Sequence, residues 1–298
     1  MSSALLIYNP NAGRNRAAQM LDTALAAYQK AGWVLDIKRS NYSGDIAAFF
    51  GGNDLSSYDA FIVMGGDGTL NEVINGMAAN SLLDKPLGIV SCGTVNDFAR
   101  YLQLPSDPCD CFDLFLQGST RRVDLGCVNE QFFINVCAVG MFSHGYMSYD
   151  PRLKKTWGRA AYYTKGVADS INFKPALLRI EANGQEYCEK FQLVLALNST
   201  GTGGFHNISR QSTADDGVLD IVAVKAVPAV ARPALLVKAF NGEIVRDKNV
   251  LYFQTAHMKI EMVEESSYFE SCDLDGDRGP ALPIEMSVNP AALMVYCP

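Results

Sequence analysis

Basic charge is the first thing this sequence is short of: 25 lysines and arginines stand against 32 aspartates and glutamates, a formal net charge of −7. Such a chain lacks the positive field with which nucleic-acid binders gather phosphates, so no nucleic-acid partner is expected. Long hydrophobic runs are missing too. The longest, such as Leu193 to Leu197, fall far short of the roughly 20 apolar residues that span a bilayer, which predicts no transmembrane anchor. The opening MSSALLIYNPNAG has no basic flank before its apolar run and no cleavage site after it, unlike a signal peptide. Histidine is scarce, and His144, His206 and His257 share no metal-ligand spacing. The eight cysteines lie mostly in apolar stretches, as reduced core residues do, and the C-x-C of Cys109 and Cys111 lacks the second pair of a zinc site. These absences predict a cytoplasmic globular protein. One basic cluster exists, Lys154, Lys155, Arg159 and Lys165, open to reading as a solvated helix face or as a contact with anionic membrane.

What is present is a change of rhythm along 298 residues, enough for two ordinary domains. Over 1–122, apolar strands at 4–8, 33–38, 60–64 and 87–90 alternate with helical patterns. This predicts an α/β domain with an open, mostly parallel sheet and its ligand at the carboxyl ends of the strands. Over 123–298, hairpin signals at Asn129-Glu130 and Asn183-Gly184 join β-rich segments at 121–139, 177–198, 217–226 and 250–263, predicting a β-sandwich domain. Helices are expected over about 143–172 and 229–241, and the last strand, 292–297, could pair in either domain.

Three small-residue turns end neighbouring strands of the first domain. Gly65-Gly66-Asp67-Gly68-Thr69 lets backbone N–H groups approach a polyphosphate, with a helix expected from Thr69. Asp67 would repel bare phosphate but suits one carrying Mg²⁺. The plainer reading is a glycine turn capped by Asp67. The companion turns are Asn9-Pro10-Asn11-Ala12-Gly13, followed by Arg14 and Arg16, and Gly93-Thr94-Val95-Asn96-Asp97, followed by Arg100. Together they describe one crevice. No G-x-x-x-x-G-K-[ST] occurs, and no G-x-G-x-x-G opens the first helix. The second half offers acidic turns: Asp124, Asp215-Asp216-Gly217 and Asp273-Leu274-Asp275-Gly276-Asp277. Phosphoryl transfer uses carboxylates to hold Mg²⁺ and to accept the hydroxyl proton, although Asp-Gly is also ordinary hairpin chemistry.

In order and spacing, NPNAG (9–13), GGDGTLNEVINGM (65–77), LGIVSCGTVNDFAR (87–100), DDGVLDIVAV (215–224) and DLDGD (273–277) resemble the diacylglycerol kinase catalytic-domain family, and within it the bacterial soluble YegS-like lipid kinases. The resemblance covers nearly the whole chain. GGDGT is shared with NAD kinases, whereas GT-x-NDFAR is far more specific.

The resemblance implies an NAD-kinase-like first domain and an ATP-dependent lipid kinase requiring Mg²⁺. It implies ATP contacts from Asn9, Pro10, Asn11, Ala12, Gly13, Ser40, Gly65, Gly66, Asp67, Gly68, Thr69, Leu70, Asn71 and Thr94. A largely structural Mg²⁺ would be held by Asp216 and the carbonyls of Thr213 and Val218. Asp67 and Asp124 would position the catalytic Mg²⁺. The family's Asp-Gly-Glu triplet reads Asp275-Gly276-Asp277 here, making Asp277 the general base with a side chain one methylene shorter. The partner is a lipid hydroxyl at a membrane surface, visited transiently, and a homodimer is left open. Candidates to line an acyl-chain groove are Phe132, Phe133, Met141, Phe142 and Tyr146. NAD kinase and a catalytically weak lipid- or nucleotide-binding protein are the alternatives.

Overall fold

The structure, a computed structural model, describes residues 1–13, 16–141, 173–203, 205 and 207–298. The helix expected over 143–172, with its basic cluster, and Arg14, Phe142, His144, Tyr146 and His206 lie outside the described residues. Contacts divide the chain into two compact units, Met1–Leu125 with Asn289–Pro298, and Gly126–Val288.

The first unit is built on four parallel strands, β1 (Ser3–Tyr8), β2 (Val34–Arg39), β3 (Ala60–Gly65) and β4 (Leu87–Ser91), in the order β2-β1-β3-β4. All six residues of β3 are buried, as a strand covered on both faces must be. The helices are α1 (Arg16–Gln19), α2 (Leu21–Lys30), α3 (Asp45–Gly52), α4 (Asp67–Ala79), α5 (Asp97–Tyr101) and α6 (Pro108–Gln117). Tyr28, Phe112 and Phe115 join Leu6, Ile62 and Val90 in one core layer. Elsewhere in the unit α3 packs on α4, so closely that a Cβ on Gly76 would lie 2.4 Å from the Phe50 ring. The C-terminal residues belong here too: Val295 pairs with Leu87, and the Tyr296 ring lies 5.3 Å from that of Phe115.

The second unit is a sandwich. β5 (Thr120–Val128) turns through Asn129 and Glu130, both at positive φ, into β6 (Gln131–Phe133). There follow β7 (Val136–Gly140), β8 (Ala176–Ala182), β9 (Gln185–Leu197), β10 (Leu219–Lys225), helix α7 (Arg232–Asn241), β11 (Val250–Thr255), β12 (His257–Met262), β13 (Ser271–Leu274), β14 (Asp277–Ala281) and β15 (Ile284–Tyr296). β9 serves two sheets. Its residues 185–191 pair with β8, while 193–197 lie between β7 and β10. A strand long enough to change partners this way makes the corner of a sandwich. Phe133, Met141, Phe191, Phe269 and Ile260 fill the core. The aromatic and apolar side chains proposed for an acyl groove are therefore core at Phe133 and Met141: both are buried, at 0% and 4% exposure. A second cluster sets Leu235 and Ala239 of α7 against Leu195, Val222 and Val224.

Candidate active site

β1, β3 and β4 are neighbours running the same way, so their carboxyl ends deliver three turns to one edge of the first unit. Each turn is locked to the next. Asn9 donates its backbone N–H to Met64 O (3.1 Å) and its Nδ2 to Thr69 Oγ1 (3.4 Å), while its Oδ1 accepts from the N–H of Asn11 (2.9 Å). Gly13, at φ +55°, passes so near the Cys92 carbonyl that a Cβ would sit 2.2 Å from its oxygen. Only glycine tolerates both conditions. Gly66 and Gly93 are packed as closely: a Cβ on Gly93 would lie 2.6 Å from the Gly66 Cα. The fourth strand end contributes Ser40, buried, with its N–H on Tyr8 O (2.9 Å).

The helix after the glycine loop starts two residues earlier than the sequence suggests, at Asp67 with Gly66 as its N-cap. Asp67 is therefore inside the first turn and does not cap it. Its carboxylate instead accepts the backbone N–H groups of Asn96 (2.9 Å, Oδ2) and Asp97 (3.0 Å, Oδ1). Asn96, in the left-handed region at φ +54°, closes the turn on itself by accepting from Gly93 N–H (2.9 Å) and donating to Gly93 O (3.0 Å). α5 likewise begins at Asp97, one residue before the expected Phe98, and Asp97 brings a second carboxylate beside the loop. Val63, Leu70, Ile89 and Ala99 form an apolar floor beneath Gly65, Gly66 and Asp67. Glycine amides at the positive end of a helix such as α4 are the chemistry that suits an anion. Gly68, Leu70 and Asn71 lie in the opening turn of α4, and Thr94 is exposed in the third turn. Asp124 is 2% exposed and accepts the N–H of Ala291 (2.6 Å), tying the returning C-terminal segment to this unit.

In the second unit the three aspartates of 273–277 have different surroundings. Asp275 and Gly276, at φ +54° and +98°, form the two-residue turn between β13 and β14. The Asp275 carboxylate grips three consecutive backbone N–H groups, of Ile134 (2.7 Å), Asn135 (2.8 Å) and Val136 (3.0 Å). Asp273 accepts from Gly276 N–H (2.8 Å). Asp277 heads β14 and is exposed. Asn198 secures the same 134–136 segment, donating Nδ2 to Ile134 O (3.0 Å), and Ser199 Oγ lies 3.2 Å from Asn135 Oδ1. These positions carried no signal in the sequence, because Asn and Ser in loops are usually solvated.

Asp216 lies in the exposed turn before β10 and accepts Val218 N–H (3.2 Å). It is not in a tight hairpin: the antiparallel strands β9 and β10 are joined by the long segment 198–218, so two-residue hairpin chemistry does not explain this Asp-Gly pair. Among the described residues no cluster of three or more His, Cys, Asp or Glu could hold a metal. Thr213 and Val218 lie within three residues of Asp216 in the same turn, and a carboxylate with backbone carbonyls is the oxygen chemistry that Mg²⁺ takes. Close by, the buried Asp220 accepts from Ser209 Oγ (3.2 Å) and the Tyr252 hydroxyl. Burial, with this carboxylate beside it, pushes the Tyr252 hydroxyl above its ordinary value.

The sequence model for "Diacylglycerol kinase catalytic domain" matches residues 3–128, and that for "YegS C-terminal NAD kinase beta sandwich-like domain" matches 149–297. A diacylglycerol kinase from Bacillus subtilis (strain 168) is 31% identical over 96% of this chain and 93% of its own length. One from Staphylococcus carnosus (strain TM300) is 30% identical over 99% and 95%. A crystal structure of a diacylglycerol kinase from Bacillus anthracis str. Sterne superposes with a TM-score of 0.78 at 26% identity, covering 100% of this chain and 97% of that one. An α/β unit with glycine-rich turns at its strand ends, followed by this sandwich, is the architecture of a lipid kinase. The chain belongs to the diacylglycerol kinase catalytic-domain family.

Proposed function

We propose that the enzyme transfers the γ-phosphate of ATP to the hydroxyl of a membrane lipid, with diacylglycerol the first acceptor to test because the curated relatives are named for it. The observation that carries this reading is the cradle formed where Gly66 and Gly93 touch and Asp67 binds the amides of the third turn. ATP would contact Asn9 to Gly13, Ser40, Gly65 to Asn71 and Thr94. Charge on the phosphates is stabilised by glycine-loop amides and the positive end of α4. The chemistry that Mg²⁺ supplies when bound is neutralisation of the triphosphate. Asp67 and Asp124 are assigned to placing it at the phosphates, and Asp216 with the Thr213 and Val218 carbonyls to holding a structural ion. Asp277 is assigned as the base that takes the lipid hydroxyl proton. It stands where the family's triplet carries its carboxylate, and it is exposed at the head of β14. The acceptor implies a cytoplasmic enzyme that visits the membrane only transiently.

The test is radiolabelled ATP with a panel of lipid alcohols in mixed micelles and NAD as a parallel acceptor. Phosphatidic acid from diacylglycerol is the expected product. Label entering NAD alone, or no lipid at all, would overturn the reading.

A further inference from the structure

α7 is a surface helix with apolar residues on both faces. Its inner side, Leu235 and Ala239, is buried in the sandwich unit. Its outer side carries Val230, just before the helix, then Pro233, Ala234, Val237 and Phe240, at the three- and four-residue spacing of a single stripe. Val230, Val237 and Phe240 are 87%, 59% and 51% exposed. Phe240 is not a loose ring, for it packs 4.4 Å from that of Phe205. A solvated helix normally shows water a polar face, so an ordered apolar stripe of this kind calls for a partner.

The charge around the stripe indicates which partner. No acidic residue occurs between Asp220 and Glu243, a stretch that includes Lys225, Arg232 and Lys238. From Lys225 to Lys248 there are five basic and two acidic residues, within a chain of net charge −7. Arg232 is turned inward to Phe173 O (3.0 Å), Lys225 is bridged to Glu189 (2.8 Å) and Lys238 to Asp247 (2.5 Å), so the basic flank is carried by other residues. Arg246 and Lys248, just beyond the helix, are exposed, as is Arg210, which holds Asn241 O at the helix end (2.7 Å). The three exposed apolar side chains offer roughly 300 Å², well short of the about 800 Å² per partner of a stable protein interface. A short apolar stripe with basic flanks instead suits shallow insertion among anionic headgroups.

We propose that α7 is the docking element that holds this enzyme on an anionic lipid bilayer. The inference rests on the reading of the acceptor as a membrane lipid and adds the surface by which that membrane is met. Association is reversible, since three side chains and a few cations give modest affinity.

The experiment uses the full chain and vesicles, with no activity readout, so that it can fail separately from the kinase reading. Wild type should co-sediment with phosphatidylglycerol/phosphatidylcholine (3:7) vesicles and not with pure phosphatidylcholine. Val237→Ser with Phe240→Ser should weaken binding about tenfold. Arg246→Gln and Lys248→Gln should each weaken it about fivefold at low salt, with the difference shrinking at high salt. In Val237→Trp, a conservative change at an exposed site, emission above the background of the two native tryptophans should shift to the blue with anionic vesicles. The proposal is overturned if wild type ignores anionic vesicles, if the serine variant binds as wild type does, or if the new tryptophan does not respond. It is equally overturned if the serine variant converts a dimer to a monomer, which would make a second copy the occupant. Vesicle binding without lipid phosphorylation would sink the acceptor reading and leave the docking surface standing.

Discussion

Asp275 and Asp277 are separated by one glycine, yet their surroundings differ: the first is bound by backbone amides and the second is exposed at the head of β14. Asp275 accepts three backbone N–H groups from the 134–136 segment, and charge-assisted bonds of this kind are among the stronger ones a protein makes. Asp275→Asn presents an NH₂ to one of those donors and should lower the unfolding free energy by about 2 kcal/mol, read by urea denaturation. Asp277→Asn should reduce kcat by about 10²- to 10⁴-fold, the range for loss of a general base. Turnover equal to wild type in that variant would remove Asp277 as the base. From the sequence, Asp275-Gly276 had two readings, turn or catalysis, because Asp-Gly suits both. The turn is real, and what the pattern could not show is the distant amide segment that the same carboxylate binds. Gly13 is the opposite case. Its small size was legible as a close approach to ligand, while the structure adds a protein neighbour, the Cys92 carbonyl. Gly13→Ala should destabilise the first turn and raise KM for ATP several-fold, while ATP affinity equal to wild type would detach that turn from the site.

At the scale of elements, the alternation of strands and helices in the first unit was readable because β3 is continuously apolar and each following turn is rich in glycine or asparagine. Helix starts were misplaced by one or two residues at α4 and α5. Aspartate at 67 and 97 looked like a cap or a loop residue, but here Gly66 and Asn96 occupy the N-cap positions. The two roles of β9 were not legible, since a run of alternating residues does not reveal a change of partner midway. α3 offers a check on local electrostatics. The Asp45 carboxylate, in its first turn, accepts Asn41 N–H (2.8 Å) and pairs with Lys38 (3.1 Å), which holds it below the ordinary carboxylate range. A depressed folded value means this support is present above the ordinary carboxylate value and is lost as pH falls through the lower folded one. The carboxyl carbon of Asp45, followed by NMR, should therefore titrate below about pH 3.9, and a midpoint at or above that value would contradict the pairing.

For the molecule as a whole, the family assignment makes it a lipid kinase, and the described residues include no helix long and apolar enough to cross a membrane. If the turn before β10 holds Mg²⁺, the ion should stabilise the folded chain by about 1.4 kcal/mol at ten times its Kd, visible as a higher Tm. Asp216→Ala should abolish the Mg²⁺-dependent part of that shift, and a variant that still responds fully would move the ion elsewhere. The same assay needs no lipid and no turnover. The acidic composition argued against a nucleic-acid partner, but the apolar outer stripe of α7 was hidden in the sequence. Leu235, Val237 and Phe240 look equally hydrophobic on the page, and only packing separates the inward residue from the outward two.

The first unit is assembled from two stretches of chain, with Asn289–Pro298 returning to it after the sandwich. Val295 pairs beside Leu87, Tyr296 packs on Phe115, and Asp124 fastens Ala291. On the ribosome the first 125 residues emerge long before those ten, so the first unit waits for the sandwich residues to be made before its sheet can close. Its last contacts are thus made by residues that follow the whole second unit in chain order, which makes the first-translated unit the later of the two to close.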